Sequence, residues 1–160
     1  MDSISTFVCK SRFSTSVENL FQFHESSLGF DSLVGSVPGI EVLKKPKSLA
    51  VNEMAIMKIP IVPLVKVKWI AKHTLYEKNR IFQDIQVQGP FKVFTHSHKF
   101  QSEAENSILE DKIEFKAAFP FISKYIVAFM LRQQFKSRHK ITAQALGVEF
   151  QILDCGLSKS

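Results

Sequence analysis

Residues 40–117 form a succession of six short runs with strand character, at 40–43, 49–59, 65–76, 81–87, 91–100 and 107–117. They are separated by Lys-Pro, Pro-rich, Glu-Lys-Asn, Gly-Pro and Glu-Ala-Glu-Asn breaks. None of these breaks is long enough for the crossover that a parallel pair requires, so neighbouring runs must pair antiparallel. In the third run Val65, Val67, Trp69, Ala71, His73 and Leu75 alternate with Lys66, Lys68, Lys72 and Thr74. The alternation buries one face of the sheet and leaves the other wet.

The flanking segments complete the pattern. Residues 5–13 read as a first strand carrying Phe7, Cys9 and Phe13. Thr15 with Glu18 is a capping-box signature, and Val17, Leu20, Phe21, Phe23 and His24 then form a short amphipathic helix. Residues 26–34 add a second helical piece before Gly35, and Pro38-Gly39 ends this insert with a turn. After the strands, Pro120 suits the first turn of a long final helix. Ile122, Tyr125, Ile126, Phe129 and Met130 recur there at helical spacing, a stripe that is expected to lie on the buried face of the sheet. Basic residues gather in the later turns, Gly147 is a stop, and residues 147–160 read as an extension or tail beyond a single domain at 1–146.

Composition narrows the function classes. At 160 residues, with 45% apolar and 22% charged residues, the chain is long enough for one core and ordinary in its balance. Its 15 Phe imply a bulky core or, as the second reading, an aromatic-lined cavity. The net charge of +6 is spread over Lys44, Lys45, Lys47, Lys66, Lys68, Lys72 and the Arg132 to Lys140 segment, with no nucleic-acid module among them. These are solvated faces, with at most a peripheral preference for an anionic surface. Lys58, Pro60, Pro63, Lys66 and Lys68 interrupt the apolar run at 54–71, so it is not a transmembrane helix, and residues 119–131 are too few for one. The first ten residues lack the apolar core of a secretory leader. A reducing cytoplasm with Cys9 and Cys155 as free thiols is the simplest account, with a disulfide tying the chain ends as the alternative.

The element order, together with Phe23-His24, Trp69-x-Ala71-x-His73, Phe82-x-Asp84-x-Gln86-x-x-Gly89-Pro90-Phe91, His96-x-His98-x-Phe100, Asp111-x-Ile113-x-Phe115 and Arg138-His139-x-x-Thr142, resembles the START-like or helix-grip (SRPBCC) superfamily, which includes polyketide cyclase/dehydrase and lipid-transport proteins. The resemblance runs from about residue 5 to about 142 and is most specific at 69–100. It implies an α+β fold: a curved antiparallel sheet wrapped around a long C-terminal helix, with two short helices after the first strand. Phe94 stands where a Trp is usual, Phe115 and Ser137 where Tyr is usual, and the segment at 32–37 lacks the paired prolines of relatives.

Strand parity puts His96 and His98 on one face with Phe94 and Phe100, and puts His73 and Asp111 on the apolar faces of their strands. Asp84 and Gln86 are ambiguous. The odd face of Ile81, Ile85 and Val87 sends them to solvent, whereas the Phe-x-Asp-x-Gln motif of the resemblance sends them inward. The turn decides: if Gln88 pairs with Phe91, Asp84 lies opposite Thr95, and if the loop is longer, Gln88 pairs with Lys92 and Asp84 faces His96. Pro90 is ill suited to the positive φ of two-residue loops, which favours the longer loop.

Three His with one or two Asp on one face can form a metal site, but no diagnostic ligand spacing is present. A buried hydrogen-bond network is the simpler reading, and groups that orient a ligand are the next. Neither a metal nor a cofactor is expected. The function this supports is binding of a hydrophobic small molecule or lipid between sheet and helix. Trp69, Phe94, Phe100, Phe115, Ile126 and Met130 would form the apolar wall. His73, His96, His98, Asp84, Gln86 and Asp111 would orient the polar end. The alternatives are a cyclase or dehydratase-like enzyme using His96 or His98 as acid or base, and an interaction protein with a filled core.

Overall fold

A computed structural model describes residues 3–117 and 123–158. The elements run β1 (Ser5–Phe13), α1 (Val17–Glu25), α2 (Ser27–Val34), β2 (Glu41–Lys44), β3 (Met54–Val62), β4 (Val65–Glu77), β5 (Ile81–Gln88), β6 (Phe91–Glu103), β7 (Asn106–Ala117), α3 (Lys124–Leu146) and β8 (Phe150–Leu157). All eight strands join one antiparallel sheet in the order β2-β3-β4-β5-β6-β7-β1-β8. Its register shifts inside β1, β4 and β6, and such irregularities bend strands and help the sheet curve around α3. This is the α+β helix-grip architecture that the resemblance implies.

The two small helices are set by local chemistry. Ser16, not Thr15, caps α1: its hydroxyl accepts the Asn19 N–H at 3.2 Å, while Thr15 takes the Asn19 side chain. Ser26 closes α1 and caps α2, its hydroxyl accepting the Gly29 N–H at 2.9 Å. A Cβ at Gly29 would lie 1.9 Å from the Phe23 carbonyl oxygen, so α2 can start this close to α1 only with glycine there.

The long helix corrects the sequence reading of its buried face. Val127, Ala128, Leu131, Phe135, His139, Thr142 and Ala143 face the protein, and α3 packs chiefly on β8 and β1, and then on α2. Tyr125, Ile126, Phe129 and Met130 point outward, with Ile126 and Met130 55% and 61% exposed. Ile126 and Met130 are therefore not wall residues. The first two turns are apolar on both sides, and the side that stays apolar or small through Phe135 to Ala143 is the one that docks. Pro120 and Ile122 lie outside the described residues, and Ser123 caps α3. Gly147, at φ 66°, ends it with Val148 N–H donating to Ala143 C=O at 3.0 Å, a Schellman closure.

That closure turns the chain back along the sheet. The segment read as an extension is β8, paired with β1. Cys9 and Cys155 lie directly opposite each other, their Cα atoms 4.0 Å apart, and are joined in a disulfide. The expectation of two free thiols is corrected, and with it the support those thiols lent to a reducing compartment. Among the described residues no helix is long and apolar enough to cross a membrane.

Candidate functional site

The core is divided in two by a polar seam. One apolar cluster holds Phe7, Cys9, Ile113, Phe115, Leu131 and Phe135; the other holds Phe13, Phe21, Phe82, Phe100, Leu109 and Ala143. The three elements that carry both clusters each place one polar residue at the boundary. On β1 it is Ser11 between Cys9 and Phe13, on β7 Asp111 between Ile113 and Leu109, and on α3 His139 between Phe135 and Ala143. On β6, His96 and His98 stand between Phe94 and Phe100. All five seam residues are buried, so each polar atom needs a partner.

Asp111 supplies most of them. Its Oδ1 lies 2.7 Å from His96 Nε2 and 2.8 Å from His98 Nδ1, and its Oδ2 lies 2.7 Å from His139 Nε2. An ionised carboxylate only accepts, so these nitrogens carry the protons. His139 Nδ1 is then an acceptor and receives the Ser11 hydroxyl at 2.7 Å. Burial works against ionising Asp111, but three imidazoles override it and hold the carboxyl well below the usual range.

Asp84 stands on the other side of the two β6 histidines. It is paired with His96 in the β5–β6 ladder and with His73 in the β4–β5 ladder. The longer-loop register is thus the one adopted, and its cause is Gln86. The Gln86 amide donates to Phe91 C=O at 2.7 Å and accepts the Phe91 N–H at 3.2 Å, replacing backbone pairing at the hairpin end. Gln86 is thus engaged at the turn. Asp84 Oδ2 lies 3.6 Å from His98 Nε2 and 3.9 Å from His96 Nδ1. Burial disfavours the charged His98, yet Asp111 and Asp84 raise its pKa. His96 is pushed to about 4, first by burial and then by the His98 charge.

The remaining expected site residues separate. Trp69 and Phe94 meet edge to face, ring centroids 4.8 Å apart, and Phe91, which sequence reasoning left out of the wall, joins both at 5.9 and 5.1 Å. All three rings are half-buried. Phe115 is fully buried under α3. Phe100 packs with Phe21 and Phe82 near α1, away from the Trp69 group. His73 is buried near the Phe82 ring, and its Nδ1 has no hydrogen-bond partner among the described residues. His139 and Ser11 were missed. The signal for His139 was present in its helical spacing, four residues after Phe135 and three before Thr142 on one face.

His24 is the fifth histidine. Its Nδ1–H donates to the Leu20 carbonyl at 2.8 Å, and its ring lies 5.1 Å from the Phe100 ring. Burial pushes its pKa down to about 3 against that hydrogen bond, with His98 and Arg138 lowering it further and Asp111 opposing them. A folded pKa below the unfolded value near 6.5 means that its stabilising effect is complete above pH 6.5 and is lost as pH falls toward 3. Between pH 7 and pH 4 the urea midpoint of the protein should fall more steeply than that of His24→Gln, the profiles diverging by on the order of 3 kcal/mol. Parallel profiles would remove His24 from the acid response.

Two surface clefts share only Phe100 with the expected site. One, of about 880 Å³, surrounds the β3–β4 turn, and the other, of about 570 Å³, is lined by Lys10, Glu77, Lys99, Glu110 and neighbours.

No family model matches the sequence, and no curated protein does. Solved structures do match. The ZhuI aromatase/cyclase from Streptomyces sp. R1128 superposes with a TM-score of 0.70 at 9% identity, over 91% of this chain and 94% of that one. Ara h 8.0201 gives 0.66 at 11% identity, over 90% and 98%. A nucleoside-diphosphate sugar epimerase from Corynebacterium glutamicum gives 0.69 at 18% identity over 88% of this chain, which spans only 29% of that protein. At such identities the likeness is one of fold: the chain has the START-like, helix-grip fold.

Proposed function

We propose that the protein binds a hydrophobic small molecule or lipid on the half of its concave face that α3 does not grip. The observation that carries this reading is the half-buried aromatic group of Trp69, Phe91 and Phe94, beside strands on which α3 does not chiefly pack. Met57, paired with Trp69 on β3, continues the same apolar floor. Two residues beyond Phe94 on β6, roughly 7 Å, the floor gives way to His96, with Asp84 opposite it on β5, and His98 and His73 lie four residues beyond Phe94 and Trp69 on their strands. A ligand lying along the strands would place its apolar body on the rings and an oxygen-bearing end at this polar edge. The fold likeness to an aromatase/cyclase and to Ara h 8.0201 agrees with a binding role without naming the ligand.

Native mass spectrometry on protein purified from its own host, followed by denaturing extraction, tests the reading. A stoichiometric apolar compound is expected. Its return to stripped protein should change the emission of Trp69, the only tryptophan, and Phe94→Ala should weaken binding at least tenfold. A protein that carries nothing, and whose Trp69 emission ignores a lipid extract, would overturn it.

A further inference from the structure

Asp84, His96 and His98 bring three ligand atoms together within 4.8 Å of one another, and the hydrogen-bond directions make this cluster more than a coincidence of position. His96 commits Nε2–H to Asp111, which leaves the Nδ1 lone pair directed toward Asp84 Oδ2 at 3.9 Å. His98 likewise commits Nδ1 to Asp111 and turns Nε2 toward the same Asp84 oxygen at 3.6 Å. These separations are too long for hydrogen bonds. They are close to the edge of a coordination polyhedron, about 3.4 Å for a tetrahedron with ligand bonds near 2.1 Å. One proton on His98 can satisfy one of these contacts but not all of them. An imidazole that gives its far N–H to a buried carboxylate is the usual arrangement of a metal-binding histidine, and here one carboxylate, Asp111, serves both.

We propose that Asp84 Oδ2, His96 Nδ1 and His98 Nε2 bind a divalent first-row transition metal ion, with Asp111 as the positioning residue that fixes both rings. Two imidazoles and one carboxylate suit zinc or iron(II) and leave coordination positions open. The positions left open lie on the side of Asp84, the least buried of the three ligands, its side chain 16% exposed against 7% and 6% for the histidines. An oxygen donor from a bound small molecule is the group that would complete the shell. The ion needs no other ligand to bind, so its test does not depend on the proposed hydrophobic compound.

Chelator-treated protein is titrated with cobalt(II) and then zinc(II), with no organic ligand present. One equivalent of cobalt(II) should develop visible ligand-field absorption, zinc(II) should displace it, and the thermal midpoint should rise with either ion. Asp84→Asn and His98→Gln should each weaken binding more than 100-fold, while His24→Gln retains the absorption. If either ligand variant fails to fold, imidazole nitrogen NMR of the unsubstituted protein decides. Zinc(II) should then shift His96 Nδ1 and His98 Nε2 and leave His24 unmoved. Failure to bind one equivalent, or binding that survives in a folded ligand variant or moves other histidine nitrogens instead, overturns the assignment.

Discussion

Asp111→Asn should cost about 3–5 kcal/mol of stability at neutral pH, read as a lower urea midpoint at unchanged slope. The amide keeps the volume of the carboxylate but offers one accepting oxygen and two N–H groups where His96, His98 and His139 present N–H groups to both oxygens. At least one imidazole is left facing a donor in a buried site, and the raised proton affinity of His98 loses its counter-charge. The sign with pH is fixed by the depressed carboxyl. Its contribution is present above the unfolded value of 3.8 and is lost only as pH falls through the lower folded value, so the cost of the substitution should shrink in acid. Glu110→Gln, on the neighbouring residue of the opposite face, should change stability by no more than about 0.5 kcal/mol. A cost below about 1 kcal/mol for Asp111→Asn would show that the histidines find other partners and that the seam is not held by this carboxylate.

Phe135→Ala should be as severe, about 3–5 kcal/mol, whereas Phe129→Ala, six residues earlier on the same helix, should stay within about 0.5 kcal/mol. Phe135 is 2% exposed and packs on Phe7 at 6.1 Å and on His96 edge to face at 5.1 Å, so its removal opens a cavity at the junction of the apolar cluster and the seam. Phe129 is 64% exposed and outside both core clusters. Paired urea titrations decide which face of α3 docks. Equal losses, or a larger loss at Phe129, would reverse the helix and restore Ile126 and Met130 to the protein interior.

The acid response of Asp111, the packing of Phe135 and the proposed metal site meet at the same few residues because the seam crosses the core from β1 to β6. A single carboxylate holding three imidazoles leaves few ways to rearrange one member alone, and substitutions within the seam should therefore be non-additive. Substitutions in the Trp69 group lie outside this network and should report on ligand binding with little effect on the seam.

What the sequence determined by itself was what short-range periodicity encodes. The alternation in residues 65–75 and the short breaks were enough for the antiparallel sheet, Phe7, Cys9 and Phe13 for β1 at Ser5–Phe13, and the Gly147 stop for the end of the long helix. Strand parity brought His96, His98 and Asp111 to one face, as the structure has them. Tertiary structure decided what depends on partners far along the chain. Two faces of α3 are apolar at its start, and only docking, chiefly against β8 and β1, selects one. The place of Asp84 beside His96 rests on the Gln86 amide clamping Phe91, a side-chain contact that no repeat of two predicts. The pairing of Cys9 with Cys155 needed β8 laid along β1 across 146 residues of sequence. Periodicity reports which side of an element is apolar; which neighbour that side meets, and in what register, is set by packing free energy summed over the whole fold.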